Sequence, residues 1–422
     1  MTFLQGFTLL SALFFLMRNK IDFLLLFFCS LILYSWQIVY GIIWVPPYTF
    51  EVSSQSQWIV SIVIGALIFF TIANDLLSKN INELTYDKNK ESDEETLFII
   101  FTIISYFFSF YALYNGWENF LTNKADFLRS TGFNYYFITY FPASMSFLFF
   151  VVSQRYKLAV FALIPLLFYL VVGFRASIVT TIIFAIFIYM YNNRIFTLQT
   201  LKPIFLVGFM FIFFALYKFS YIFLQSDNFN SLADLLEFYD IITEADPRFE
   251  SAIEYFLFYM FSAEFGQVSS NLSLTASMNL SNYYSFPNAF IGSIPFFDTI
   301  SGINEEESRF STVIETYANP GFSYGLGSSI WGEMYQAGGY IGVFLFSFIT
   351  IFLIFTYNLS FYRSKERFTL FSYFIAFLSF YIHRNDFVLV VGNIKNIIFV
   401  ALLGFIILWL VKNKISLNLF HK

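Results

Sequence analysis

Arg175, Arg248, Arg309, Arg384 and Glu333 are the side chains in this sequence whose types and settings could do chemistry. Arg175 follows Gly173-Phe174 in a tight connection between two apolar runs and opens the second of them. A cation there opposes the helix dipole by up to about 1 kcal/mol, and burial at membrane depth adds to that cost. An anionic ligand would remove both penalties; a bond to a loop carbonyl or a lipid headgroup is the bland alternative. Arg248 lies in Asp246-Pro-Arg-Phe-Glu250, and Arg309 follows Glu305-Glu306-Glu307, so each could simply pair with its neighbours. Arg384 stands in His383-Arg-Asn-Asp386, where an apolar run ends. A guanidinium stays charged and offers phosphate a planar fork of donors. Several arginines converging on one vestibule would therefore suit a pyrophosphate.

Glu333, in Trp331-Gly-Glu-Met-Tyr335, precedes the Gly-rich run Gly338-Gly-Tyr-Ile-Gly342. A partly buried carboxylate there is a candidate general base; the alternative is a carboxylate paired with one of the arginines. Tyr335, Glu315, His383 and Asp386 are candidates for supporting roles. Gly338 and Gly342, four apart, read as a small-residue pair for close helix packing.

Several chemistries are disfavoured. One cysteine, Cys29, and two histidines, His383 and His421, leave no Cys- or His-rich metal site and no intrachain disulfide. Gly321-Phe-Ser323-Tyr-Gly325 fits the Gly-x-Ser-x-Gly spelling, but that elbow needs a preceding strand and a downstream Asp then His, whereas His383 precedes Asp386. Nucleotide-binding glycine loops and zinc-protease motifs are missing, as is an outer Asp-x-Asp pair.

The elements that must hold these residues are membrane helices. The composition is 58% hydrophobic and only 12% charged, about half the charge of a soluble domain. Runs near 3–17, 21–44, 57–74, 96–116, 136–152, 157–173, 175–191, 201–224, 338–358, 368–383 and 394–411 predict about eleven spans, all helical because backbone groups in lipid must bond internally. The run from Phe3 lacks a basic flank and a small-residue cleavage site and is read as a retained span.

Alternate connections are rich in Lys and Arg: Arg18 and Lys20; Lys79, Lys88 and Lys90; Arg155 and Lys157; Arg194 and Lys202; Arg363, Lys365 and Arg367; and Lys412, Lys414 and Lys422. The positive-inside rule makes these cytoplasmic. The polar stretch 225–337 then faces outward, between an N-terminal membrane domain, 1–224, and a C-terminal one, 338–422. Its short apolar pieces, Ile253–Phe261 and Phe286–Phe297, are too short to span and predict helices lying against the membrane face. The acidic run Asp87–Glu95 is a solvated connector.

On these residues the chain resembles the O-antigen polymerases, the Wzy-type oligosaccharide repeat-unit polymerases. The resemblance covers the whole architecture. Its motifs are the Gly173-Phe-Arg175 hairpin, the large loop, the Ser329-x-x-Gly-Glu333-x-Tyr335-x-x-x-Gly339-x-x-Gly342 opening of the next span, and Arg384-Asn-Asp-Phe387. It implies a membrane-embedded glycosyltransferase of GT-C-like fold that needs neither metal nor cofactor, in the bacterial inner membrane, with its active site facing the periplasm. Its donor and acceptor would be undecaprenyl-pyrophosphate-linked glycans, and its partners membrane lipid, a chain-length regulator and a flippase, with no nucleic acid. Arg175, Arg248, Arg309 and Arg384 would bind pyrophosphate, Arg175 and Arg248 foremost, and Glu333 would be the base. The related O-antigen ligases typically carry a His-Asn pair where this sequence has Ser328-Ser329, which favours polymerase over ligase. A lipid-linked oligosaccharide flippase or other transporter is the rival from another class; no internal repeat supports it.

Overall fold

A computed structural model describes residues 2–45, 48–78, 89–119, 127, 130–131, 133–172, 175–191, 193–198, 200–206, 208–209, 265–294, 302, 308–318, 328–363 and 370–419. Among the described residues the regular structure is helical apart from one short hairpin. The helices α1 (Phe3–Arg18), α2 (Phe23–Tyr40), α3 (Ser54–Ser78), α4 (Asn89–Gly116), α5 (Phe133–Val152), α6 (Tyr156–Val171) and α7 (Arg175–Met190) precede the large loop. Within it lie α8 (Gln267–Ser277), α9 (Phe286–Ser293) and the short α10 (Phe310–Val313), which runs on into a π-helical turn, Ile314–Ala318. α11 (Ile330–Arg363), α12 (Leu370–Tyr381) and α13 (Phe387–Leu419) complete the chain. Among the described residues five helices are long and apolar enough to cross a membrane, namely α2, α3, α4, α11 and α13, and shorter apolar helices stand beside them. The molecule is an all-α polytopic membrane protein in type.

Local chemistry sets the helix starts. Thr2 and Gln5 form a capping box at α1, and Asp22 caps α2 by accepting from Leu25 N–H at 3.0 Å. Hydroxyls inside the helices bond back to their own carbonyls or across to a neighbour. Ser105 donates to the carbonyl of Thr139 at 3.0 Å, and Ser146 to that of Phe98 at 2.8 Å, which ties α4 to α5. α3 packs along α11, α5 between α4 and α6, and α12 along α2.

The second apolar run does not remain helical to residue 44. α2 stops at Tyr40; Gly41, at φ +96°, turns the chain, and Ile42–Val45 (β1) pairs antiparallel with Tyr48–Glu51 (β2). Branched and aromatic residues next to Pro46-Pro47 favour a hairpin over another helical turn.

Two groups of contacts define opposite ends of the bundle. At one, Arg18 bonds Asp75 and Asp22, Asn358 bonds Asp22 and Asn74, and Asn19 accepts from Ile195 N–H. The connections bearing Arg18, Lys20 and Arg194 therefore share an end. At the other, Ser53 meets Ser273, Ser269 meets Tyr34, and α11 begins. The Arg18 side chain is only 5% exposed and that of Asp22 fully buried. Removing one partner of a buried pair costs about 3–5 kcal/mol, because the other charge stays in place. Arg18→Ala should accordingly lower the stability of the detergent-solubilised protein by about that amount, read from its unfolding midpoint. An unchanged midpoint would show that this network does not hold the end together.

Candidate functional site

α11 is bent, and the bend places the candidate base. Gly338 and Gly339 leave helical geometry, Gly339 at φ +60° and ψ −151°, a conformation closed to side chains with a Cβ. The turns before the bend fold back so sharply that a Cβ on Gly342 would lie 2.4 Å from the carbonyl oxygen of Met334, eight residues earlier. These glycines thus make an elbow. The helix-packing role expected for Gly338 and Gly342 falls instead to Gly332, where a Cβ would strike the Thr275 hydroxyl of α8 at 2.4 Å. The helix begins at Ile330, ahead of the expected 338, so Glu333 sits in its first turn, where the dipole favours an anion.

Glu333 is fully buried. Tyr284, from the turn between α8 and α9, donates its hydroxyl to Oε1, and the backbone N–H of Phe387, at the start of α13, donates to Oε2 at 2.6 Å. Burial, with the Glu333 carboxyl alongside, pushes the Tyr284 phenol well above its ordinary range, so it remains a donor. Among the described residues no Lys, Arg or His side chain comes within ion-pair distance of Glu333.

Asp386 lies beside it, buried, close enough for its charge to act on Glu333. It caps α13 by accepting from Leu389 N–H at 2.8 Å and takes the Ser311 hydroxyl, from α10, at 2.8 Å. Both hydroxyl donors therefore come from the large loop, and both carboxylates from the starts of membrane helices. Gln336, three residues beyond Glu333, fastens the same loop. It accepts from Leu280 N–H at 2.9 Å and donates to the carbonyls of Thr275 and Met278, closing the end of α8.

His383 is buried, and Trp331 donates its indole N–H to Nδ1 at 3.0 Å. An indole nitrogen only donates, so the imidazole proton is on Nε2. The His383 ring meets Phe27 edge to face at 4.6 Å. Arg384 is half-buried, with its guanidinium 5.9 Å from the centre of the Tyr381 ring. Arg309 is half-buried at the start of α10, two residues before Ser311. Glu315 lies half-buried in the π-helical turn after α10, and Tyr335 packs on Tyr340 across the elbow at 5.1 Å. Ser328 and Ser329 are buried just ahead of α11. Arg175 opens α7, as its position after the Gly173 hairpin implies; its side chain lies outside the described residues, and Arg248 lies outside them altogether.

The structure thus brings Glu333, His383, Arg384 and Asp386 to one region, with Arg309 two residues from an Asp386 ligand. Nothing in the sequence alone marks Tyr284, Ser311, Trp331 or Gln336 as a partner of these residues. Tyr284 stands in Asn282-Tyr-Tyr-Ser-Phe-Pro287, and only the proline that opens α9 marks the spot. Among the described residues no three His, Cys, Asp or Glu side chains gather as a metal ion would need. No family model matches the chain, and neither a curated protein nor a solved structure gives a significant match.

Proposed function

We propose that the protein polymerises oligosaccharide repeat units carried on undecaprenyl pyrophosphate, at the outer face of a bacterial inner membrane and without a metal ion. One observation carries this reading. The Glu333 carboxylate is buried at the junction of the large loop with the helix starts, and its partners among the described residues are a phenol and a backbone N–H instead of an arginine. A structural ion pair would have consumed its charge; here the carboxylate is free to take a proton. In the proposed reaction an acceptor sugar hydroxyl attacks the anomeric carbon of the donor and gives its proton to Glu333. The bond from that carbon to the pyrophosphate oxygen breaks, and the pyrophosphate leaves with the electron pair. Arg175 and Arg248, with Arg309 and Arg384, stabilise the leaving charge, an electrostatic contribution of about 3–4 kcal/mol for a well-placed donor. The sugar–pyrophosphate bond supplies the driving force. In this reading the chain crosses the membrane about eleven times, with the 225–337 loop on the periplasmic side.

The same pair of buried carboxylates, Glu333 and Asp386, with no ion-pair partner among the described residues, would also suit a proton-coupled transporter of lipid-linked oligosaccharides. Purified protein in detergent separates the two, because no gradient exists there. Incubated with lipid-linked repeat units, it should produce a ladder of longer lipid-linked products, at an unchanged rate in EDTA. No ladder would remove the polymerase reading. A strict need for a divalent ion would remove the account of the leaving group built on arginine alone.

A further inference from the structure

We infer that Tyr284 is a positioning residue: its hydroxyl, offered from the large loop, holds the Glu333 carboxylate in place for proton transfer, so that the base is competent only while the loop is docked on the helix starts. This rests on the glycosyl-transfer reading of the site.

The geometry separates the phenol's two ends. Its ring is held by packing, edge to face on Phe310 at 4.9 Å and in a buried cluster with Leu280, Ala289, Val313, Ile314 and Val388. Phenylalanine would fill the same space. Its hydroxyl has a single hydrogen-bond partner among the described residues, Glu333 Oε1. The turn that carries Tyr284 is itself fastened to α11, because Leu280 N–H bonds Gln336. Glu333 and Gln336 stand three apart on one helix face and so grip the two ends of a five-residue turn, Leu280 to Tyr284. A shift of the turn would withdraw the hydroxyl from the carboxylate without moving α11.

The groups facing Glu333 are few. Asp386 and the Phe387 N–H come from the start of α13, and Tyr284 from the loop. His383 is engaged by Trp331, two residues before Glu333 on α11, and Arg384 lies over Tyr381. Arg309 heads α10, whose Ser311 bonds Asp386. Among the described residues, Tyr284 is the one hydroxyl donor on the candidate base.

The test is the pH dependence of ladder formation by the full-length purified chain. A donor to a carboxylate favours its ionised form, and a base must be ionised to act. Tyr284→Phe should therefore move the rising limb of kcat to higher pH by about one unit, with KM and the unfolding midpoint near wild type. Below the limb this reads as about a tenfold slower rate, recovered at higher pH. A difluorotyrosine incorporated at position 284 is a stronger donor and should move the limb the opposite way; it carries the test if Tyr284→Phe does not fold. Limbs that coincide with wild type in both variants overturn the positioning role while leaving the glycosyl-transfer reading intact. A fully active Glu333→Gln overturns the positioning role alone, since Glu333 then takes no proton; a wild-type chain that makes no ladder overturns the glycosyl-transfer reading and the positioning role with it.

Discussion

Glu333→Gln should make almost no polymer while remaining folded. Removing a general base costs about 10²- to 10⁴-fold in rate. The amide keeps the size of the side chain, and its environment can adapt: the Gln oxygen can accept from Phe387 N–H, and its amide can donate to the Tyr284 oxygen. What is lost is one acceptor for the phenol hydrogen, a stability cost of about 1–3 kcal/mol. The measurement is the initial rate of ladder formation beside the unfolding midpoint of the same preparation. A folded Glu333→Gln that polymerises at the wild-type rate would show that Glu333 takes no proton, and the base would have to be sought elsewhere. Glu333→Asp is a useful companion. It keeps the charge but withdraws the carboxylate by one methylene from both donors, and should fall between the two.

Arg175→Lys should insert and accumulate normally yet polymerise about ten- to a hundredfold more slowly, with single lipid-linked repeats building up in cells. If Arg175 only reached for headgroups or capped a turn, lysine would replace it well, since both carry a charge on a long apolar stem. If it grips a pyrophosphate, lysine loses the paired donors of the planar fork although the charge remains. One lost charge-assisted bond is worth about 1.5–3 kcal/mol, which sets that range. Its position at the first residue of α7 sharpens the contrast, because the helix dipole disfavours either cation there unless an anion is bound. Normal polymer from a well-inserted Arg175→Lys would leave the leaving group to Arg248, Arg309 and Arg384.

The helices were legible because hydrophobic length is a strong signal: the starts and ends of α1, α6 and α7 fall within a residue or two of the predicted runs. The hairpin at Ile42–Glu51 was hidden, since Ile42, Ile43 and Trp44 continue an apolar run, and only Gly41 and the two prolines mark the change. The elbow is not legible in the sequence, because a Gly pair spaced by four looks the same whether it receives a neighbouring helix or its own earlier turn; only the backbone geometry tells them apart. Glu333 could be seen from its place beside that glycine run. Its partners could not: Tyr284 lies 49 residues away and Ser311 75 residues from Asp386. Such tertiary hydrogen bonds leave no periodic trace.

The elbow also acts as a ruler. Unbent, the 34 residues of α11 would be about 51 Å long, far more than the roughly 30 Å thickness of hydrocarbon. Bent after Gly339, only the stretch from Tyr340 to Arg363 runs on, about 36 Å. In the proposed topology, with the far end of that stretch at the cytoplasmic face, the fold-back would begin near the level where acyl chains give way to phosphates. A carboxylate carried on the returned turns would, in the proposed reading, be kept at a set depth, one reached by the headgroup of a lipid carrier whose tail stays in the bilayer. The catalytic depth would then be written in the number of residues between Gly339 and Arg363. Inserting or deleting one helical turn there would, in the proposed reading, shift the returned turns relative to the lipid-bound substrate and pull them against the Phe387 N–H and the Tyr284 hydroxyl that hold the carboxylate.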